Sequence, residues 1–189
     1  LKTGIKSLET KLEKTLKTIM VEDSMELKER IALLAGAAGA CNEGLQELAA
    51  TKSRVDMLRC FFDNIKFCLS RHTPSSVFIR SNFGDMMHGQ GLYADETVNV
   101  KNQKEVAFVG KCYAVVEITE RMMCRIWAAD STKLNLRASN GARLIIDALD
   151  NADIIVDECS GAHVTVYLYG NATCTGADLI VRKGATYEL

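Results

Sequence analysis

Written in tens from Lys111, the chain reads KCYAVVEITE, RMMCRIWAAD, STKLNLRASN, GARLIIDALD, NADIIVDECS, GAHVTVYLYG. Even positions are small or apolar in window after window. The first has Cys112, Ala114, Val116 and Ile118, the third Leu134, Leu136 and Ala138, and the last Ala162, Val164, Val166 and Leu168. Odd positions are mixed and often polar. Alternation with a period of two is a strand with one buried face. Turn-forming pairs sit at the window boundaries: Asp130-Ser131, Asn140-Gly141, Asp150-Asn151, Ser160-Gly161 and Gly170-Asn171. A fixed period with turns at fixed places marks a solenoid, in which each repeat buries its apolar face only against its neighbours.

An antiparallel meander is the rival. A two-residue hairpin puts the residues flanking its loop on one face, so buried parity would alternate from strand to strand. Here it stays even throughout. Three-residue loops preserve parity and leave the meander open. Two tens or three per coil both fit. The pattern starts raggedly, with Val98, Val100, Val106 and Phe108 already in parity. It ends with a slip: Gly176 to Val181 repeats the pattern of Gly161 to Val166 after fifteen residues instead of twenty, which predicts a shortened final corner.

The N-terminal third has a different period. Ile5, Leu8, Leu12, Leu16 and Ile19 recur at threes and fours, an amphipathic helix. Asp23 with Glu26 has the spacing of a capping box and predicts a new helix start. Leu27, Ile31, Leu34, Ala38, Cys41, Leu45 and Leu48 then form a heptad seam. Its middle is small, from Gly36 to Cys41. Each Gly costs a helix about 1 kcal/mol, so tight packing against a partner helix is expected there. A third stripe holds Val55, Leu58, Phe62, Ile65 and Leu69, and His72-Thr73-Pro74 ends the helical region. A parallel coiled coil between copies and an antiparallel hairpin or bundle within one chain both fit. The expected fold class is therefore α+β: N-terminal helices, coiled-coil-like or a helical hairpin, followed by a C-terminal β-solenoid with ten-residue repeats. The expected divisions are a helical oligomerisation and attachment region over 1–72, a connecting loop and cap over 73–97, and the solenoid over 98–189.

Composition narrows the function. The 189 residues carry 23 Lys+Arg against 24 Asp+Glu, so the basic excess of a general nucleic-acid binder is missing. No apolar run reaches the roughly 18 residues of a membrane span. The seven cysteines form no C-x-x-C pair and read as small buried hydrophobes in a reducing compartment. His72, His88 and His163 are far apart in sequence, so only the fold would cluster them. Phosphate-loop, nucleophile-elbow, zincin and dinucleotide-binding motifs are absent. The acidic stretch Asp147, Asp150, Asp153, Asp157 and Glu158 lacks the order of a calcium loop and reads as solvated outer-face charge. No catalytic, cofactor-binding or metal-ligating residue is assigned.

Among outward positions, Ile145, Leu149, Ile155, Tyr167 and Tyr169 are apolar and fall in neighbouring windows. Together they would form a patch for self-association. Tyr167, Tyr169 and the odd-position, outward Trp127 form an alternative, a sugar-stacking surface.

Heptad-bearing helices followed by a short solenoid with Asn-Gly, Ser-Gly and Gly-Asn corners resemble fibre and appendage proteins of tailed bacteriophages. The stretch Gly91-Leu92-Tyr93-Ala94-Asp95-Glu96-Thr97-Val98-Asn99-Val100, running into Ala107-Phe108-Val109-Gly110, is similar to small phage or prophage proteins of that type. The resemblance implies a non-enzymatic homotrimer located in the virion and made in the bacterial cytoplasm. It implies attachment to other virion proteins through the N-terminal helices and a host-surface glycan as a partner at the other end. No paired carboxylates stand out as a glycosidase dyad. Two other readings stand beside it: a self-assembling scaffold resembling bactofilins, and a carbohydrate-active β-helix.

Overall fold

The computed structural model describes residue 23 and residues 25–176, 178–184, 186 and 187, with Glu158 described by its backbone alone. The amphipathic stripe from Ile5 to Ile19 lies outside the described residues. The chain divides into two compact units, Leu1–Asn64 and Ile65–Leu189.

The first unit holds helix α1 over residues 25–37, α2 (Asn42–Ala50) and α3 (Arg54–Asp63). Helix α1 closes at Gly39, whose φ of +88° is left-handed. The amide of Ala40 donates to the Ala35 carbonyl and that of Gly39 to the Gly36 carbonyl. These are the two bonds of a Schellman motif. Cys41 then caps α2, its Sγ accepting from the Gly44 amide at 3.4 Å. Ser53 caps α3 by accepting from the Asp56 amide at 3.1 Å. Lys28 joins α1 to the end of α2, donating to the carbonyls of Ala49 and Thr51.

These stops correct the reading of the seam. Leu27, Ile31, Leu34, Ala38, Cys41, Leu45 and Leu48 do not lie along one helix. Leu27, Ile31 and Leu48 are buried, Ala38 and Leu45 are half-buried, and Leu34 and Cys41 are exposed. The small residues serve a turn. A Cβ added at Gly36 or Gly39 would meet nothing within 4 Å, so among the described residues no helix approaches closely there.

The second unit begins with α4 (Ile65–Ser70), α5 (Ser76–Phe83) and a 3₁₀ helix (Gly84–Gln90). Among the described residues eleven strands follow: β1 Leu92–Ala94, β2 Thr97–Lys101, β3 Glu105–Val109, β4 Tyr113–Ile118, β5 Met123–Ala128, β6 Lys133–Ser139, β7 Arg143–Ala148, β8 Asp153–Ser160, β9 His163–Leu168, β10 Thr173–Gly176 and β11 Leu179–Lys183. The segment 73–97 thus contains α5, the 3₁₀ helix and β1 as well as connecting turns. Odd-numbered strands form one sheet and even-numbered strands the other. Every ladder between them is parallel, which removes the meander.

Register gives the coil. Ala114 faces Leu134, and Leu134 faces Ile154, each twenty residues on. One coil thus carries two strands, one per sheet. The ends are shorter: Leu92 faces Ala107 and Leu179 faces Val164, steps of fifteen. Even-numbered side chains from both sheets fill the column between them, with Ile126, Leu134, Leu136, Ile146 and Ile154 fully buried. Each such Leu or Ile stabilises the fold by about 1.5–3 kcal/mol relative to an exposed one. Cys112 and Cys124 lie in the same column, and burial pushes the Cys124 thiol up to about 12. All seven cysteines are free.

One corner edge stacks Gly110, Asp130, Asp150 and Gly170, all with positive φ. Asp reaches this conformation at modest cost and adds a carboxylate. Asp130 Oδ2 accepts from the Gly110 amide at 2.6 Å, and Asp150 Oδ2 accepts from the Asp130 amide at 2.9 Å. At Gly110 a Cβ would overlap the Asp95 carboxylate and the Ser76 hydroxyl, so only Gly fits.

Candidate ligand recess on the solenoid surface

The two outer faces differ. On the even-numbered sheet, outward positions are open and mostly polar, with Tyr113 and Ile155 exposed among them, and Arg137 sits between Glu117 and Asp157 at 3.8 and 3.9 Å. On the odd-numbered sheet, several outward positions are covered. Ala107, Trp127, Asp147 and Leu149 are all buried although they point away from the column. Helix α5 packs on β1, and its Arg80 Nη1 donates to the carbonyls of Ala94 and Asp95.

Farther along this face lies a recess of about 260 Å³. Strand β5 contributes Arg125, β7 contributes Ile145 and Asp147, and β9 with the residue after it contributes Tyr167 and Tyr169. Lys66 from α4 and Thr186 and Tyr187 from the C-terminal segment complete the wall. Parallel pairing sets Asp147 and Tyr167 of this lining in one outward row: Trp127 faces Asp147, Asp147 faces Tyr167, and Tyr167 faces Arg182.

Arg125 is held from two sides. Its Nη2 donates to Asp147 Oδ2 at 3.2 Å, and its guanidinium lies 5.0 Å from the centre of the Trp127 ring. Asp147 is 4 % exposed. Burial pushes its carboxyl above the usual carboxylate value, opposed by Arg125, Lys66 and a hydrogen bond from Trp127. Tyr187 meets Tyr169 edge-on at 4.8 Å. Burial, and then the Asp147 charge, push the Tyr187 phenol up. The chain reaches Tyr187 only because Gly184 slides flat past Tyr169; a Cβ at Gly184 would overlap that ring.

Of the five residues expected to form one exterior patch, Ile145, Tyr167 and Tyr169 line this recess. Leu149 is 3 % exposed and offers no surface, and Ile155 belongs to β8 on the other sheet, 39 % exposed. Parity identifies which way a side chain points, but not what covers it or which sheet carries it. Trp127 likewise points outward yet is 4 % exposed. Asp147 departs from the solvated reading of the acidic stretch for the same reason. Arg125, Lys66, Thr186 and Tyr187 were not legible as a group, because twenty-residue coiling and a returning tail bring them together.

A second cluster joins His72, Asp130 and Asp150, whose ligand-type atoms lie within 4.8 Å of one another. His72 Nδ1 is 3.0 Å from Asp130 Oδ1 and Nε2 is 3.7 Å from Asp150 Oδ1. Since each carboxylate spends its other oxygen on a corner amide, the cluster clasps the segment after α4 to the corner stack. His88 instead binds Glu96, with Nε2 3.0 Å from both carboxylate oxygens. No helix among the described residues is long and apolar enough to cross a membrane. Comparison of the chain with family models, with curated proteins and with solved structures gave no match.

Proposed function

We propose that the chain is a non-enzymatic structural and binding protein, in which a rigid solenoid carries a ligand recess on one outer face. The observation that carries this reading is the row Trp127, Asp147, Tyr167 and Arg182, set by unbroken parallel pairing across β5, β7, β9 and β11. A scaffold of this kind positions side chains with little reorganisation on binding. Among the described residues the lining holds one carboxylate, already paired with Arg125, whereas the glycosidase reading asks for two.

The setting proposed is an oligomeric, fibre-like appendage of a virion, trimeric, with the helical unit in attachment and a host-surface glycan as the ligand. The bactofilin-like scaffold is less favoured. End-to-end stacking needs a free strand edge, and β1 is blunted: α5 packs on it, Arg80 takes the Ala94 carbonyl, and Glu96 Oε1 accepts from the Ala94 amide. Mass in solution tests the setting. A closed trimer of constant mass supports it, while a monomer or growing filaments would remove it.

A further inference from the structure

We propose that the recess takes a carboxylate-bearing sugar residue, such as a uronic or sialic acid. This deepens the binding reading above and rests on it.

Lys66 and Arg125 line the recess, Arg182 stands 5.8 Å over the Tyr167 ring beside it, and among the described residues Asp147 is the one carboxylate in the lining. Among those residues cations therefore outnumber anions around the opening, which selects a negative ligand. Arg125 is already oriented. Asp147 fixes one end of its guanidinium and Trp127 lies beneath it, so little side-chain freedom is lost when another N–H edge meets a ligand carboxylate. A bare carboxylate would leave most of the wall unused. That wall is phenolic, with Tyr167, Tyr169 and Tyr187. A pyranose has apolar C–H faces that suit an electron-rich ring, and hydroxyls that pair with phenol oxygens, Thr186 and Asp147. The volume of about 260 Å³ lies just under the roughly 300–1,000 Å³ of sites for drug-sized ligands. It suits one sugar ring with its neighbours in a chain left outside.

Trp127 is the only tryptophan of the chain, and it underlies Arg125, so its emission reports on the recess. The experiment titrates the full chain with sodium glucuronate and with N-acetylneuraminate, against glucose and acetate. A saturable change with at least one of the acidic sugars is expected, with glucose and acetate each weaker by about tenfold or more. Removing Arg125 strands a buried carboxylate and risks the fold, so the exposed pair Lys66→Gln and Arg182→Gln carries the test. Each should weaken acidic-sugar binding by about threefold to tenfold, and Tyr167→Ala should weaken glucose and glucuronate alike. Glucose binding as tightly as glucuronate would overturn the acidic class while leaving a sugar site. Acetate doing so would leave a bare anion site and overturn the sugar. No saturable response to any of the four would overturn the recess as a binding site, while the mass measurement decides the oligomeric setting separately.

Discussion

Arg125 and Asp147 stand on neighbouring strands but not on the same rung: Arg125 faces Ile145, and its guanidinium reaches diagonally to the Asp147 carboxylate at 3.2 Å. The diagonal matters because the two ends differ in exposure. The Arg125 side chain is nearly half exposed, whereas Asp147 is buried. Removing the cation leaves a buried charge behind; removing the anion leaves a cation that water still reaches. Arg125→Gln should therefore destabilise by about 1–3 kcal/mol, and Asp147→Asn by less. The sign with pH follows from burial. Asp147 holds its proton more tightly in the folded chain than its ordinary 3.8. Such a group's contribution is fully present below the unfolded value and is lost as pH rises through the folded one. Without Arg125 the carboxyl rises further, so the deficit of Arg125→Gln should shrink as pH falls from 7 toward about 4. Urea midpoints of both variants across that range check it. A deficit that grows on acidification would contradict the burial argument.

Besides holding His72, Asp130 does two things at its corner. Its backbone has φ of +58°, and its carboxylate accepts the Gly110 amide at 2.6 Å. Three substitutions separate them. Asn tolerates the left-handed conformation and keeps an acceptor, Gly keeps only the conformation, and Ala keeps neither. Stability should fall in the order Asp, Asn, Gly, Ala, with Ala lowest by about 1–3 kcal/mol. Thermal melts of the three variants measure the ranking. An Ala variant as stable as the parent would show that the corner residue is not constrained.

The solenoid was legible because two independent signals agree. The parity of Leu134, Leu136, Ile146 and Ile154 marks one buried face, and Asn140-Gly141 or Ser160-Gly161 marks each corner. Even the short last step was written in the sequence, since Gly176 to Val181 copies Gly161 to Val166. The coil size was not written there, because the inward parity of a ten is the same in a two-sided and a three-sided column. The recess was illegible for another reason. Arg125, Asp147 and Tyr187 share no local pattern, and outward positions carry no periodic mark of what covers them. In the helical unit the seam misled, because heptad spacing counts positions and ignores a left-handed Gly39 that ends the helix between them.

Gly36 and Gly39 give that last point a measurement. Gly36 is within α1, and a Cβ there would meet nothing within 4 Å. Gly36→Ala should raise stability by about 0.5–1 kcal/mol through helix propensity. Gly39 has φ of +88°, and Gly39→Ala should lower stability by about 1 kcal/mol despite the same open space. Chemical denaturation of the two variants tests the pair. A destabilised Gly36→Ala with an altered mass in solution would mean that a second copy packs closely on this helix.

Gly184 lets the C-terminal segment pass close against the Tyr169 ring. Its place against Tyr169 leaves no room for a side chain, so Gly184→Ala pushes the C-terminal segment outward and lifts Tyr187 from its edge-on contact with Tyr169. The amide of Gly184 donates to the Leu168 carbonyl at 2.8 Å, and that bond should weaken as well. The column of even-numbered side chains is not involved, so the loss of stability should stay near 1 kcal/mol, the size of one hydrogen bond and a partial aromatic contact. Opening should instead show at Trp127. Acrylamide should quench its emission more strongly in Gly184→Ala than in the parent, and Tyr187→Ala should reproduce the increase. Equal quenching in all three proteins would mean that the C-terminal segment does not shield the indole, and that Trp127 is buried by other parts of the chain.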